Sequence, residues 1–122
     1  MLIQALPYDL TVCQVLSPAE INLYADFFFI ARTDEEISLV CITSDVPNHT
    51  TRRDDGWRGF RVDGELDFAP VSVLSNLTAL LFNRAIDVFA VSTYNTDYIL
   101  VKADQFGRAK EVMEQEGYVV QG

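Results

Sequence analysis

Ser92, Thr93, Asn95 and Asp97 crowd hydroxyls, an amide and a carboxylate into the short run Ser92-Thr93-Tyr94-Asn95-Thr96-Asp97. Apolar residues flank this run, with Ile86, Val88, Phe89, Ala90 and Val91 before it and Ile99, Leu100 and Val101 after it. A carboxylate beside small hydroxyls can take a cation and discriminate polar groups. The second promising stretch is Asp67-Phe68-Ala69-Pro70-Val71-Ser72-Val73, where a helix should begin. The first backbone N–H groups of a helix have no partner inside it, so they suit a carboxylate. Brought face to face, helix amides and Asp97 would hold the two ends of an α-amino acid.

Other candidates carry less. His49 is the only histidine and stands in a polar stretch, where it reads as a surface residue. Asp34-Glu35-Glu36 and Asp54-Asp55 read as solvated turns, because neither has the spacing of a calcium loop. Cys13 and Cys41 sit in apolar, strand-like runs and form no CxxC pair, so they read as buried, reduced thiols. Trp57 reads as core or a sheet-edge aromatic. No phosphate loop, nucleophile elbow or HExxH is present, so neither a catalytic group, a metal nor a cofactor is expected.

These residues need a scaffold. Ile86–Val101 reads as two strands folded about a turn near Asn95, a central hairpin covered on both faces. Before it, Pro70 opens a helix with Val73, Leu74, Leu77, Leu80, Leu81 and Ala85 on one stripe. After it, Asp104 should cap a second helix presenting Phe106, Ala109, Val112 and Met113, with Gly117 as its left-handed stop. Tyr118–Val120 is a last strand. Further back, Trp57–Val62 reads as a strand, continued by Glu65–Phe68 beyond an Asp63-Gly64 turn. From Trp57 the order is therefore strand, helix, strand, strand, helix, strand. That is the α+β, ferredoxin-like βαββαβ plan, an antiparallel sheet with both helices on one face.

The N-terminal part is poorer in helix. Leu10–Val15, Phe27–Ala31 and Ile37–Thr43 read as strands, and Ser17-Pro18-Ala19-Glu20 as a helix start good for about a turn. Ser44–Asp55 reads mostly as loop, ended by Gly56. Slid by 61 residues, Phe27–Val40 lies on Val88–Val101 without a gap. Phe28 then meets Phe89, Leu39 meets Leu100, Val40 meets Val101 and Glu36 meets Asp97. The first half reads as a worn copy of the second, and a seam between repeats is a place for a ligand.

The totals bound the function. A chain of 122 residues with 49% hydrophobic content can bury a core. With 18 acidic against 9 basic residues the net charge is −9, which disfavours nucleic acid and anionic membrane surfaces. No apolar run is long enough to span a membrane and no signal peptide is visible, so a cytoplasmic location is expected.

The stretch GELDFAPVSVLSNLTALLFNRAIDVFAVSTYNTDYILVKADQFGRA resembles the ACT domain family, and VFAVSTYNTDYILV is its most specific part. It is most similar to small stand-alone bacterial ACT proteins with tandem halves, related to the animal cytosolic arginine sensor. The resemblance implies an ACT domain at 57–122 and a degenerate ACT-like half at 1–56, packed as one compact unit. It implies a non-enzymatic, allosteric module that binds an amino acid at an interface between ACT units, and a homodimer. Carried onto this chain, the ligand residues are Phe68, Val71, Ser72, Val73, Leu74, Ser92, Thr93 and Asp97. ACT domains usually place a glycine in the loop before the helix, and Ser72 stands about there instead. That departure feeds an alternative, a ligand-free interaction and oligomerisation module docking to a metabolic enzyme or transporter. A small isomerase or lyase is a third reading, but no nucleophile has a base beside it.

Overall fold

The computed structural model describes residues 2–63 and 70–122. The chain divides into two compact units, Met1–Pro7 with Arg58–Gly122, and Tyr8–Trp57. The long strand β5 (Arg52–Asp63) runs through the division, giving its first residues to one unit and its last to the other.

In the larger unit, Leu2–Ala5 forms β1, antiparallel to β5 with Ile3 opposite Val62. Helix α1 (Pro70–Asn83) leads to β6 (Phe89–Ser92), which pairs antiparallel with β7 (Asp97–Lys102). Helix α2 (Phe106–Gln115) follows, then β8 (Val119–Gln121), parallel to β1. Strand β7 in turn pairs with β5. Alternate residues of the strands, Ile3 and Ala5, Phe60 and Val62, Ile99 and Val101, face Leu77, Leu81, Ala109, Val112 and Met113 of the helices in one core. This is the expected ferredoxin-like arrangement with one addition. Strand β1 lies between β5 and β8, and it was not foreseen because four residues at a chain start carry too little pattern to reveal a long-range pairing.

Both helices of this unit end on one motif. In α2, Gly117 takes φ +95, the Gly117 N–H donates to the Glu114 carbonyl and the Tyr118 N–H donates to the Met113 carbonyl. In α1, Ala85 takes the same role at φ 61, with Ala85 donating to Phe82 and Ile86 to Leu81. Gly117 thus stops its helix as expected. Ala85 does not belong to the apolar stripe; it is exposed and lies past the helix end. A side chain in left-handed geometry is strained by roughly 1–2 kcal/mol, and the two Schellman bonds with buried Ile86 hold it there. Asp104 lies within a single 3-10 turn, Ala103–Gln105, and Gln105 stands at the N-cap of α2 without a side-chain capping bond, its Nε2 donating instead to the Ala85 carbonyl at 3.3 Å.

In the smaller unit, β2 (Leu10–Val15) pairs with β4 (Ile37–Ile42) and with the start of β5, and β3 (Phe28–Arg32) pairs with β4. All these pairings are antiparallel. Arg52–Asp55, read from sequence as a loop end, is strand. Gly56, read as the stop, sits inside β5 at φ +83, opposite the register shift between Leu10 and Val12. Single 3-10 turns, Pro18–Glu20 and Thr43–Asp45, take the places of the helices. Ser17 caps the first, its Oγ accepting from the Ala19 N–H at 3.2 Å. Cys13, Val15, Leu39 and Cys41 are buried beneath Ile21 and Val46.

The two hairpins correspond at a shift of 60 residues, not 61. Phe29 is opposite Val40 and Phe89 is opposite Leu100; Arg32 is opposite Ile37 and Ser92 is opposite Asp97. The turn bonds agree, Thr33 N–H to Glu36 carbonyl at 2.9 Å and Thr93 N–H to Thr96 carbonyl at 2.8 Å. Asp97 therefore corresponds to Ile37, and Glu36 to Thr96. Strand register is set by which residues face the core, and a slip of one residue turns every side chain to the other face. Letter matches alone do not feel that constraint.

Candidate functional site

The hairpin tip is built from the last pair of a strand ladder. β6 and β7 close on Ser92 opposite Asp97, and the turn carries Thr93, Tyr94, Asn95 and Thr96. Thr93 reinforces it, its Oγ1 donating to the Thr96 carbonyl at 3.0 Å. Asn95 is not left-handed, since Ala85 alone among the described non-glycine residues has a positive φ. The expectation of a hairpin covered on both faces holds for one arm only. Asp97, Ile99, Leu100 and Val101 of β7 are buried, whereas Phe89, Ala90 and Ser92 of β6 are exposed and, among the described residues, β6 pairs with β7 alone.

Asp97 is the unusual member. It is 8% exposed, and among the described residues its carboxylate accepts one hydrogen bond, from the Ser92 hydroxyl to Oδ1 at 2.7 Å. A buried carboxylate is costly unless hydrogen-bonded or paired with a cation. One hydroxyl satisfies one of its oxygens and leaves acceptor capacity unused. Asp97 lines an open cleft of about 540 Å³.

That cleft joins two parts of the fold. Leu74, Ser75 and Thr78 of α1 form one wall; Ala90, Ser92 and the tip residues Thr93 to Asp97 form the other. Of the residues expected at the site, Leu74, Ser92, Thr93 and Asp97 come together here. Val73 packs against the core of the larger unit. Phe68 lies outside the described residues, as do the extended stretch Glu65–Phe68 and the side chains of Val71 and Ser72. Sequence reasoning missed Ser75, Thr78 and Ala90. Ser75 and Thr78 follow Leu74 by one and four positions, which places them beside the apolar stripe, and that spacing was the available signal.

The remaining sequence candidates lie elsewhere. His49 is exposed, its Nδ1 3.9 Å from Glu20 Oε2. Cys13 and Cys41 are buried free thiols, and burial, the largest cause, pushes the Cys41 thiol up to about 12, which suppresses thiolate chemistry. Asp55 belongs to a polar group on β5, accepting from Arg53 Nε at 2.9 Å and from the buried Thr11 hydroxyl at 2.7 Å. Those bonds, Arg53 first, hold its carboxyl below the usual aspartate range. Among the described residues no group of three or more potential ligands could hold a metal ion, and no helix is long and apolar enough to cross a membrane.

Comparison with known proteins agrees with this architecture. A structure from Agrobacterium tumefaciens matches with a TM-score of 0.85 and 25% identity, over 98% of this chain and 90% of that one. A Vibrio cholerae protein of unknown function, described as a possible transport protein, matches with a TM-score of 0.69 and 14% identity, over 90% and 84% of the two chains. The aspartate kinase of Clostridium acetobutylicum, described as an allosteric enzyme, matches with a TM-score of 0.68 and 8% identity; 93% of this chain covers 33% of the kinase. The last two show the fold alone. No curated protein sequence matches. The sequence model of the ACT domain matches residues 52–115, more than half of the chain. With a βαββαβ core, a second half of the same strand order and that match, the chain belongs to the ACT domain family.

Proposed function

We propose that this protein is a non-enzymatic, cytoplasmic regulatory module that binds an amino acid in the cleft between α1 and the β6–β7 tip. ACT domains are in general regulatory modules that bind small molecules, amino acids among them. The observation that carries the reading is Asp97, a buried carboxylate with a single hydroxyl partner among the described residues, on the wall of an open cleft. In this reading Asp97 takes the ligand's ammonium, Ser92 and Thr93 add polar discrimination, and the first amides of α1 take the α-carboxylate. The cleft is open, and among the described residues β6 pairs with β7 alone. A second copy closing over both makes a homodimer with ligand between ACT units. Binding would then report itself through subunit packing, because a ligand shifts a population only by differential affinity.

A thermal-shift screen against the twenty amino acids at millimolar concentration tests this. A ligand at a hundred times its dissociation constant stabilises by about 2.7 kcal/mol, a shift of several degrees for a domain of this size. Asp97→Asn should remove most of that shift. If Asp97→Asn and Ser72→Trp both leave affinity untouched, the site is elsewhere. Silence across the panel would favour the ligand-free module docking to a metabolic enzyme or transporter. The exposed Phe82 beside the same wall of α1 supports that second reading.

A further inference from the structure

The smaller unit carries a second cleft, of about 360 Å³, on one face of its sheet. Ser38 of β4, Gln14 of β2 and Arg52 of β5 stand in one row across three neighbouring strands, since Gln14 is opposite both Ser38 and Arg52. Strands lie about 4.8 Å apart, so the row sets a cationic end and a hydroxyl end on either side of Gln14. Glu36 closes the hydroxyl end. Its Oε1 accepts from Ser38 Oγ at 2.6 Å and from Gln14 Nε2 at 2.8 Å. Both bonds fall on one oxygen, so Oε2 is left for an outside donor. These bonds, Ser38 first, also hold the Glu36 carboxyl below its ordinary range, so it is charged at neutral pH.

At the other end the Arg52 side chain has no hydrogen bond or ion pair among the described residues. The neighbouring charges are otherwise engaged. Arg53 and Asp54 line the cleft as well; Arg53 pairs with Asp55, and Asp54 accepts from Trp57 Nε1 at 3.3 Å. Glu36, in the turn just before β4, and Arg52, on β5, thus line one cleft with opposite charges and are not joined to each other. A guanidinium is the preferred partner of a carboxylate, and a carboxylate oxygen with spare lone pairs suits an ammonium.

We infer that this cleft binds a small zwitterion, its carboxylate on Arg52 and its ammonium on Glu36, with Gln14 between them. It shares no lining residue with the cleft lined by Asp97, and either can fail without the other.

The test is a titration of the 15N-labelled protein with glycine, β-alanine and 4-aminobutanoate, which share the two groups at increasing separation. Acetate and methylammonium serve as single-charge controls. The expected result is a saturable shift of the Gln14 side-chain amide and the Ser38 and Arg52 backbone amides with at least one zwitterion. Affinity should fall by at least about tenfold in Arg52→Gln and in Glu36→Gln, the scale of one lost charge-assisted bond. Both substitutions are at exposed positions, and unchanged spectra elsewhere would show that the variants fold. No saturable shift with any zwitterion, equal shifts in the variants, equal response to acetate alone, or shifts confined to residues 92–97 would overturn the proposal.

Discussion

The hairpins β3–β4 and β6–β7 have the same ladder, the same turn bond and the same pattern of burial along their second strands, yet they end in different chemistry. Where the larger unit has Ser92 opposite Asp97, the smaller has Arg32 opposite Ile37. Asp97 and Ile37 are equally buried, each 8% exposed. One site therefore keeps a carboxylate where the other fills the space with a hydrocarbon. The chains also part just after the second strand. Thr43–Asp45 and Ala103–Gln105 are matching 3-10 turns, but Val46 leaves its turn extended (ψ 130) while Phe106 stays helical (ψ −47). Val46 precedes Pro47, whose ring disfavours helical geometry in the residue before it; Phe106 precedes Gly107. One proline thus separates a unit covered by a helix from one covered by a turn. The lesson is that strand pairing survives changes that remove both helices and the tip carboxylate, because ladder bonds and alternating burial do not depend on them.

The comparison can be pressed first in the cores. Ile99 and Leu39 hold matching positions, and truncation of such residues costs about 2–5 kcal/mol depending on how far the site collapses. Ile99→Ala, under two helices, should fall near the top of that range, and Leu39→Ala, under single turns, near the bottom. Urea denaturation decides it, and equal losses would mean that the turns pack as rigidly as the helices. Exchanging the tips comes next. Ile37→Asp buries a new charge and should cost about 1–3 kcal/mol. Asp97→Ile should be neutral or stabilising by about 1 kcal/mol while abolishing the ligand-induced thermal shift. A large loss of stability in Asp97→Ile would make that carboxylate structural.

The helix ends give a third contrast. Ala85→Gly should stabilise by about 1 kcal/mol and Gly117→Ala should destabilise by a similar amount, because the two positions share one left-handed motif. Thermal denaturation reads both. The smallest effect lies at Glu36, which has no buried counterpart. Its folded value is lower than its ordinary 4.5, through Ser38 and then Gln14. Its contribution to stability is therefore fully present above the ordinary value and is lost as pH falls through the folded value. The stability difference between the wild type and Glu36→Gln should shrink on acidification through that window, and a difference independent of pH would remove Glu36 from the ledger of charged interactions.

Much of this was legible in residues. The α1 stripe through Leu77 and Leu81, the Gly117 stop, the Ser17 cap, the turn at Asp34–Glu36 and the βαββαβ order follow from periodicity and local backbone chemistry. So did the grouping of Ser92, Thr93 and Asp97, which are near one another along the chain. The errors have one source. Whether Ala85 continues a helix or ends it, whether β6 is central or an edge, and whether the repeat shift is 60 or 61 all depend on partners distant in sequence.

The sequence by itself determined the two helices and the hairpin of the larger unit, the charge balance and the composition of the hairpin tip, because these rest on a residue and its near neighbours. Tertiary structure alone decided that β1 inserts between β5 and β8 and that Arg52–Asp55 is strand. It alone placed Leu74, Ser75 and Thr78 against Asp97, and aligned Ser38, Gln14 and Arg52 in one row. Each of these is a pairing across the sheet or onto it, fixed by which faces must be buried together, and no window of neighbouring residues contains that information.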